Sequence, residues 1–126
     1  KNAQIIVSSP YTRALQTASI ISKETGLDIV VEPDIREWQP DLTYQYKNSE
    51  EMHEYYNDYI KNNGVYPINE KRKWETKEQL RNRVISVINK YKNNYDKVIV
   101  VAHKMAFQSI CDCGDMQPAE IFETIF

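Results

Sequence analysis

Apolar residues in this chain gather into three short continuous runs, separated by stretches of helical spacing. Ile5-Ile6-Val7, Ile29-Val30-Val31 and Val98-Ile99-Val100-Val101 are β-branched throughout. That is the pattern of strands covered on both faces, as in parallel sheets. Between the first two runs, Ala14, Leu15, Ala18, Ile21 and neighbouring Ile20 predict the buried stripe of a helix from Pro10 to about Thr25. Ser9 suits the N-cap and Pro10 the first helical position, and Gly26 stands where the helix should stop. Strand, helix and strand within about thirty residues make a βαβ unit.

Further along, residues 39–48 are polar and aperiodic, with Pro40 among them. Ser49 is expected to cap a helix to about Asn62, ending at Gly64, and Tyr55, Tyr56 and Tyr59 share it with Met52 and Ile60. So many tyrosines suit a cover over a site or a helix on a wet edge. Thr76 and Gln79 form a capping box, opening a helix with Leu80, Val84, Val87, Ile88 and Tyr91 on one face. Its charged residues, Arg81, Arg83, Lys90 and Lys92, read as a solvated face. After the last apolar run come a short helix to about Asp112, a turn from Gly114 to Pro118, and a closing edge strand, Glu120–Phe126, read from its alternation.

A length of 126 residues fits one domain. With 16 basic and 18 acidic residues there is no basic field of the kind that non-specific nucleic-acid binding uses. No apolar run approaches the ~20 residues of a membrane helix, and no basic-then-apolar leader is visible. Cys111 and Cys113 make no disulfide framework and point to a reducing cytoplasm. With Asp112 and Asp115 they still lack the second ligand pair of a zinc site, so no metal is expected. Three glycines and no G-x-G-x-x-G disfavour a nucleotide-binding fold.

Two places can hold chemistry. Arg13 falls in the first helical turn after a buried strand, at the sheet edge where open α/β folds bind ligands. Its guanidinium fork suits phosphate, and a helix start favours anions; the plainer alternative is a surface arginine. His103 ends the Val98 strand at the same edge, where a histidine is core or cap about as often as ligand. The loop 32–38 adds Glu32, Asp34 and Glu37, any of which could hand a proton to a leaving oxygen or simply be solvated. Trp38 leans to solvent in this reading, and His53 is a surface residue.

The stretch Ser8-Ser9-Pro10-Tyr11-Thr12-Arg13-Ala14-Leu15-Gln16-Thr17-Ala18 resembles the Ser-Pro-x-x-Arg-Ala-x-Gln-Thr-Ala motif of the histidine phosphatase superfamily, also called the phosphoglycerate mutase-like family. The resemblance implies a three-layer α/β/α sandwich with a mostly parallel sheet. It places the transferring phosphoryl group on Arg13. Asp34-Ile35-Arg36-Glu37 aligns with the family's Leu/Ile-x-Glu element, which makes Glu37 the proton donor, with Asp34 and Glu32 as rivals. Val100-Val101-Ala102-His103 matches its Val-x-x-His, which makes His103 the group that steadies the phosphoryl oxygens. Residues 39–75 resemble the family's variable lid. A Glu-x-x-x-x-x-x-x-Arg-like helix follows and supports the fold.

Two departures stand out. Lys104 replaces the glycine that usually follows the histidine, so the turn must move or Lys104 must take a costlier backbone. Lys104 is read as a second substrate contact, holding an anionic substrate or narrowing the pocket. The family's Arg-His-Gly, whose histidine becomes phosphohistidine, is absent: the two histidines are His53 and His103. The chain therefore reads as a fragment whose missing strand belongs between the Ile5 and Val98 strands. It is expected to be poorly stable, inactive alone and prone to self-association through exposed strand edges. The intact protein is expected to be a cofactor-independent phosphatase of phosphorylated small molecules or phosphoproteins. Mutase-type transfer and a non-catalytic phosphate-binding domain are the alternatives.

Overall fold

The computed structural model describes residues 2–126. The three apolar runs become strands β1 (Ile5–Ser8), β2 (Ile29–Val31) and β3 (Val98–Val101). They form one parallel sheet in the order β2-β1-β3. Helix α1 (Thr12–Thr25) follows β1, and a 3-10 turn (Pro33–Ile35) follows β2. Helices α2 (Ser49–Lys61) and α3 (Lys77–Lys92) come before β3, and α4 (Lys104–Gln108) comes after it.

Strand periodicity builds the layers. Successive side chains of β1 point to opposite faces, and all four of its residues are buried. Ile5 and Val7 enter a core with Leu80, Val84, Val87 and Tyr91 of α3, while α1 packs on the sheet through buried Ala14 and Ala18. The result is the expected α/β sandwich. No described helix is long and apolar enough to cross a membrane.

The sequence reading needs several corrections. β1 and β3 pair directly, Ile5 with Val98 through Ser8 with Val101, so there is no gap between them for a further strand. β1 is bonded on both sides, and the two unpaired central edges expected there do not exist. β2 is an edge strand rather than a buried one, with Val31 46% exposed. Ile20 lies on the outer face of α1 and is exposed, so the buried stripe is narrower than its apolar residues suggested. Glu120–Phe126 forms no strand. An alternating segment needs a sheet edge to complete its ladder, and this one turns away through Gly114 and Ala119 at positive φ, leaving Ile121 and Ile125 exposed. Helix α4 stops at Gln108, short of Asp112.

The segment 39–75 is pinned at both ends. Glu75 N–H donates to the Gln39 carbonyl at 2.9 Å and Leu42 N–H to the Lys73 carbonyl at 2.9 Å. Tyr59 of α2 packs against Trp38 and Trp74, with ring centroids 4.9 and 5.3 Å apart. Trp38 is buried, not exposed, because its indole N–H donates to the Glu75 carbonyl at 2.7 Å. The cap of α2 is Asn48, one residue before the expected Ser49.

Candidate functional site

The site begins where β1 runs out. Ser9 is fully buried, and its Oγ accepts from Tyr11 N–H at 3.2 Å and lies 2.7 Å from His103 Nε2. With that hydroxyl engaged, α1 starts at Thr12, two residues later than expected, and has no side-chain cap. Arg13 Nη2 lies 3.3 Å from His103 Nδ1. A guanidinium can only donate, so Nδ1 accepts and the ring proton sits on Nε2, aimed at Ser9; this tautomer follows from the partners. His103 is 7% exposed. Burial first, then the positive charges of Arg13 and Arg83, push its pKa from 6.5 down to about 4, so the ring is neutral near pH 7.

His103 is also the residue that turns the chain. It keeps extended backbone at φ −135°, and Lys104 opens α4 in ordinary helical geometry, so no positive φ is needed where the family places glycine. Tyr11 leans on the imidazole at 5.0 Å between centroids, with the Arg13 guanidinium 5.8 Å from the Tyr11 ring.

Glu37 joins this group from the loop after β2. Its Oε1 accepts from Trp38 and Ala106 N–H at 2.8 and 3.1 Å, and its Oε2 from Met105 N–H at 3.1 Å. It thus fastens its own loop to the start of α4, just past His103. The rivals are placed elsewhere. Glu32 accepts from Lys90 and Tyr91 of α3, which hold its carboxyl below the usual range, and Asp34 pairs with Arg36 at the surface.

Arg13 and Glu37 both line a cavity of about 460 Å³ that opens against α2. Tyr11, Gln39, Tyr46, Met52, His53 and Tyr56 are among its other walls. His103 stands behind Arg13 and Tyr11 rather than in the wall. Lys104 is not in the wall either; it is half-exposed and its ammonium pairs with Asp115.

His53 is exposed, as expected, and also lines the wall from α2. One arginine is placed otherwise than the sequence suggests. Arg83, assigned to the solvated face of α3, is largely buried: its guanidinium donates to both Glu75 carboxylate oxygens and to the carbonyls of Asp34, Arg36 and Glu37. A usable signal existed, since Glu75 and Arg83 are the ends of the Glu-x-x-x-x-x-x-x-Arg pattern.

Comparisons with known proteins bear on this arrangement. A family model for the histidine phosphatase superfamily (branch 1) matches residues 1–125. Comparison with curated proteins gives no match. Among solved structures, Bacillus stearothermophilus YhfR aligns with a TM-score of 0.63 at 17% identity, over 86% of this chain and 55% of its own. A protein provisionally assigned as an alpha-ribazole-5'-P phosphatase, from Escherichia coli K-12 MG1655, aligns with a TM-score of 0.58 at 17% identity, over 85% of this chain and 54% of its own. The chain therefore spans about half the length of these structures, and the likeness is one of fold.

Proposed function

The chain belongs to the histidine phosphatase superfamily, branch 1, and on that footing we propose that its site binds the phosphoryl group of a phosphate monoester for hydrolysis. The observation that carries this reading is the meeting of Arg13 and His103 at 3.3 Å, from segments 90 residues apart, beside a cavity that Glu37 also lines. One group is a fixed cation with donors to spare. The other is a neutral imidazole whose Nδ1 is occupied only by that cation.

The chemistry follows from those two states. An arriving phosphate takes the Arg13 guanidinium, which offers a bidentate grip. Nδ1 is then released beside an anion, and the ring's affinity for a proton rises. Protonated, His103 donates to a phosphoryl oxygen and stabilises the charge there during transfer. Where a histidine nucleophile is supplied to this site, its nitrogen attacks phosphorus as the ester P–O bond breaks, and Glu37 gives its proton to the leaving oxygen. Water next breaks the phosphohistidine bond, returning a proton to Glu37 and releasing phosphate. Glu37 suits this traffic because its Oε2 takes a single backbone donor and keeps acceptor capacity. Neither step calls for a metal or an organic cofactor. Hydrolysis is preferred over mutase-type transfer because, among the described residues, Arg13 is the one Lys or Arg side chain lining the cavity, with Lys104 turned to Asp115.

Within these 126 residues His103 is committed to Ser9 and Arg13, and His53 is the other histidine. This chain by itself is therefore expected to bind phosphate without turning it over. Calorimetric titration with inorganic phosphate and with vanadate tests the reading. Both should bind the chain and bind Arg13→Ala at least about tenfold more weakly, and an aryl phosphate should not be hydrolysed. Equal binding by Arg13→Ala would refute it.

A further inference from the structure

The cavity has two unlike ends. Arg13 and Glu37 hold its charge, and the rest of the wall is dominated by rings and a thioether: Tyr11, Trp38, Tyr46, Met52, His53 and Tyr56. Tyr56 is held in place, edge-on to Trp38 at 6.0 Å and 76°, yet keeps 38% of its surface open. Trp38 is itself fixed by its indole bond to Glu75. A volume of about 460 Å³ lies within the ~300–1,000 Å³ of small-molecule sites and exceeds what a lone phosphate needs.

Resting on the phosphate-binding reading above, we infer that the group esterified to the phosphate is a flat aromatic ring without a second negative charge. The ring lies among Tyr46, Met52 and Tyr56 while the phosphoryl group meets Arg13. Aromatic walls favour aromatic guests by offset and edge-on contacts beyond the area they bury, and a methionine sulfur adds to them. A sugar phosphate would have to replace the water on every hydroxyl with Gln39, Ser49, His53 and the tyrosine hydroxyls, whereas an aryl ring gives up no hydrogen bonds on entry. A second carboxylate or phosphate would find Glu37 and, among the described residues, no second Lys or Arg in the wall. The residues that set this choice come from the segment 39–75, outside the strand ends that hold the phosphate.

The test is a binding series on the whole 126-residue chain: inorganic phosphate, phenyl phosphate, 1-naphthyl phosphate, glycerol 3-phosphate and 3-phosphoglycerate, read by calorimetry. The aryl esters should bind at least about tenfold more tightly than glycerol 3-phosphate, with 3-phosphoglycerate weakest. Tyr46→Ala and Tyr56→Ala should each erase most of that preference while leaving inorganic phosphate affinity unchanged. Aryl and glycerol esters binding alike would overturn the inference and leave the phosphate site standing. Failure of inorganic phosphate to bind at all would overturn both. The ligand series on the unaltered chain decides the matter even if a tyrosine variant folds poorly.

Discussion

Two arginines in this molecule are held in opposite ways. Arg13, at the open end of the sheet, is exposed and among the described residues makes one side-chain hydrogen bond, to a ring nitrogen that an anion can displace. Arg83, where α3 meets the loop after β2, makes five, to a buried carboxylate and three carbonyls. A guanidinium has five N–H donors, so Arg83 has none left for a ligand. On the proposed function, this difference sets a phosphate-binding arginine apart from a structural one more sharply than position along a helix does. Arg83 fixes the loop that carries Glu37, and Arg13 is left to meet what enters the cavity.

The largest effect should come from the buried partner. Arg83→Met leaves the Glu75 charge uncompensated at 3% exposure, with three carbonyls bare. It should cost about 3–5 kcal/mol in urea unfolding. Arg83→Lys should recover little of that, since an ammonium cannot span the fork.

The next effect belongs to His103 and depends on pH. Its folded pKa of about 4 lies below the ordinary 6.5, so between those values the unfolded chain binds more protons. Stability should hold above about pH 6.5 and fall as pH drops toward 4, by at most about 1.4 kcal/mol per pH unit from this group. His103→Gln should flatten that part of the profile.

Arg13→Ala sharpens the contrast from the other side. Phosphate affinity should fall by roughly tenfold to a hundredfold, the worth of charge-assisted bonds, in a calorimetric titration. Its unfolding free energy should stay within about 0.5 kcal/mol of the parent, as for an exposed residue. A loss of stability as large as that of Arg83→Met would erase the distinction between the two arginines.

The smallest effect is where α2 leads into α3. Gly64 has φ +74°, and a Cβ there would lie 2.7 Å from Lys77 Cβ at the head of α3. Gly64→Ala should therefore cost about 1–2 kcal/mol of thermal stability and leave phosphate binding nearly intact.

The strands, the three longer helices and the placing of Arg13 and His103 near one sheet edge were legible because local pattern sets them: β-branched runs, a capping box, a Ser-Ser-Pro break; Glu37 stood out from Glu32 and Asp34 only through the family resemblance. What was not legible depends on partners far away in sequence. Ser9 looked like a cap because nothing local shows that its hydroxyl faces His103, 94 residues on. Arg83 looked solvated because three of its five bonds go to carbonyls of a distant loop, and carbonyls leave no trace in composition. Trp38 looked exposed among charges, although the carbonyl that holds it belongs to Glu75. The tail failed in reverse: Glu120–Phe126 has the right alternation but pairs with neither edge of the sheet.

The most direct measurement follows the His103 ring by NMR through a pH titration, with and without vanadate. The account predicts a neutral ring down to about pH 4 in the free chain, with its proton on Nε2. Arg13→Ala should raise that pKa by removing a neighbouring cation, and vanadate should raise it in the parent chain but not in Arg13→Ala. A ring that titrates near its ordinary value of 6.5, unmoved by vanadate, would contradict the claim that Arg13 and His103 form a phosphate site.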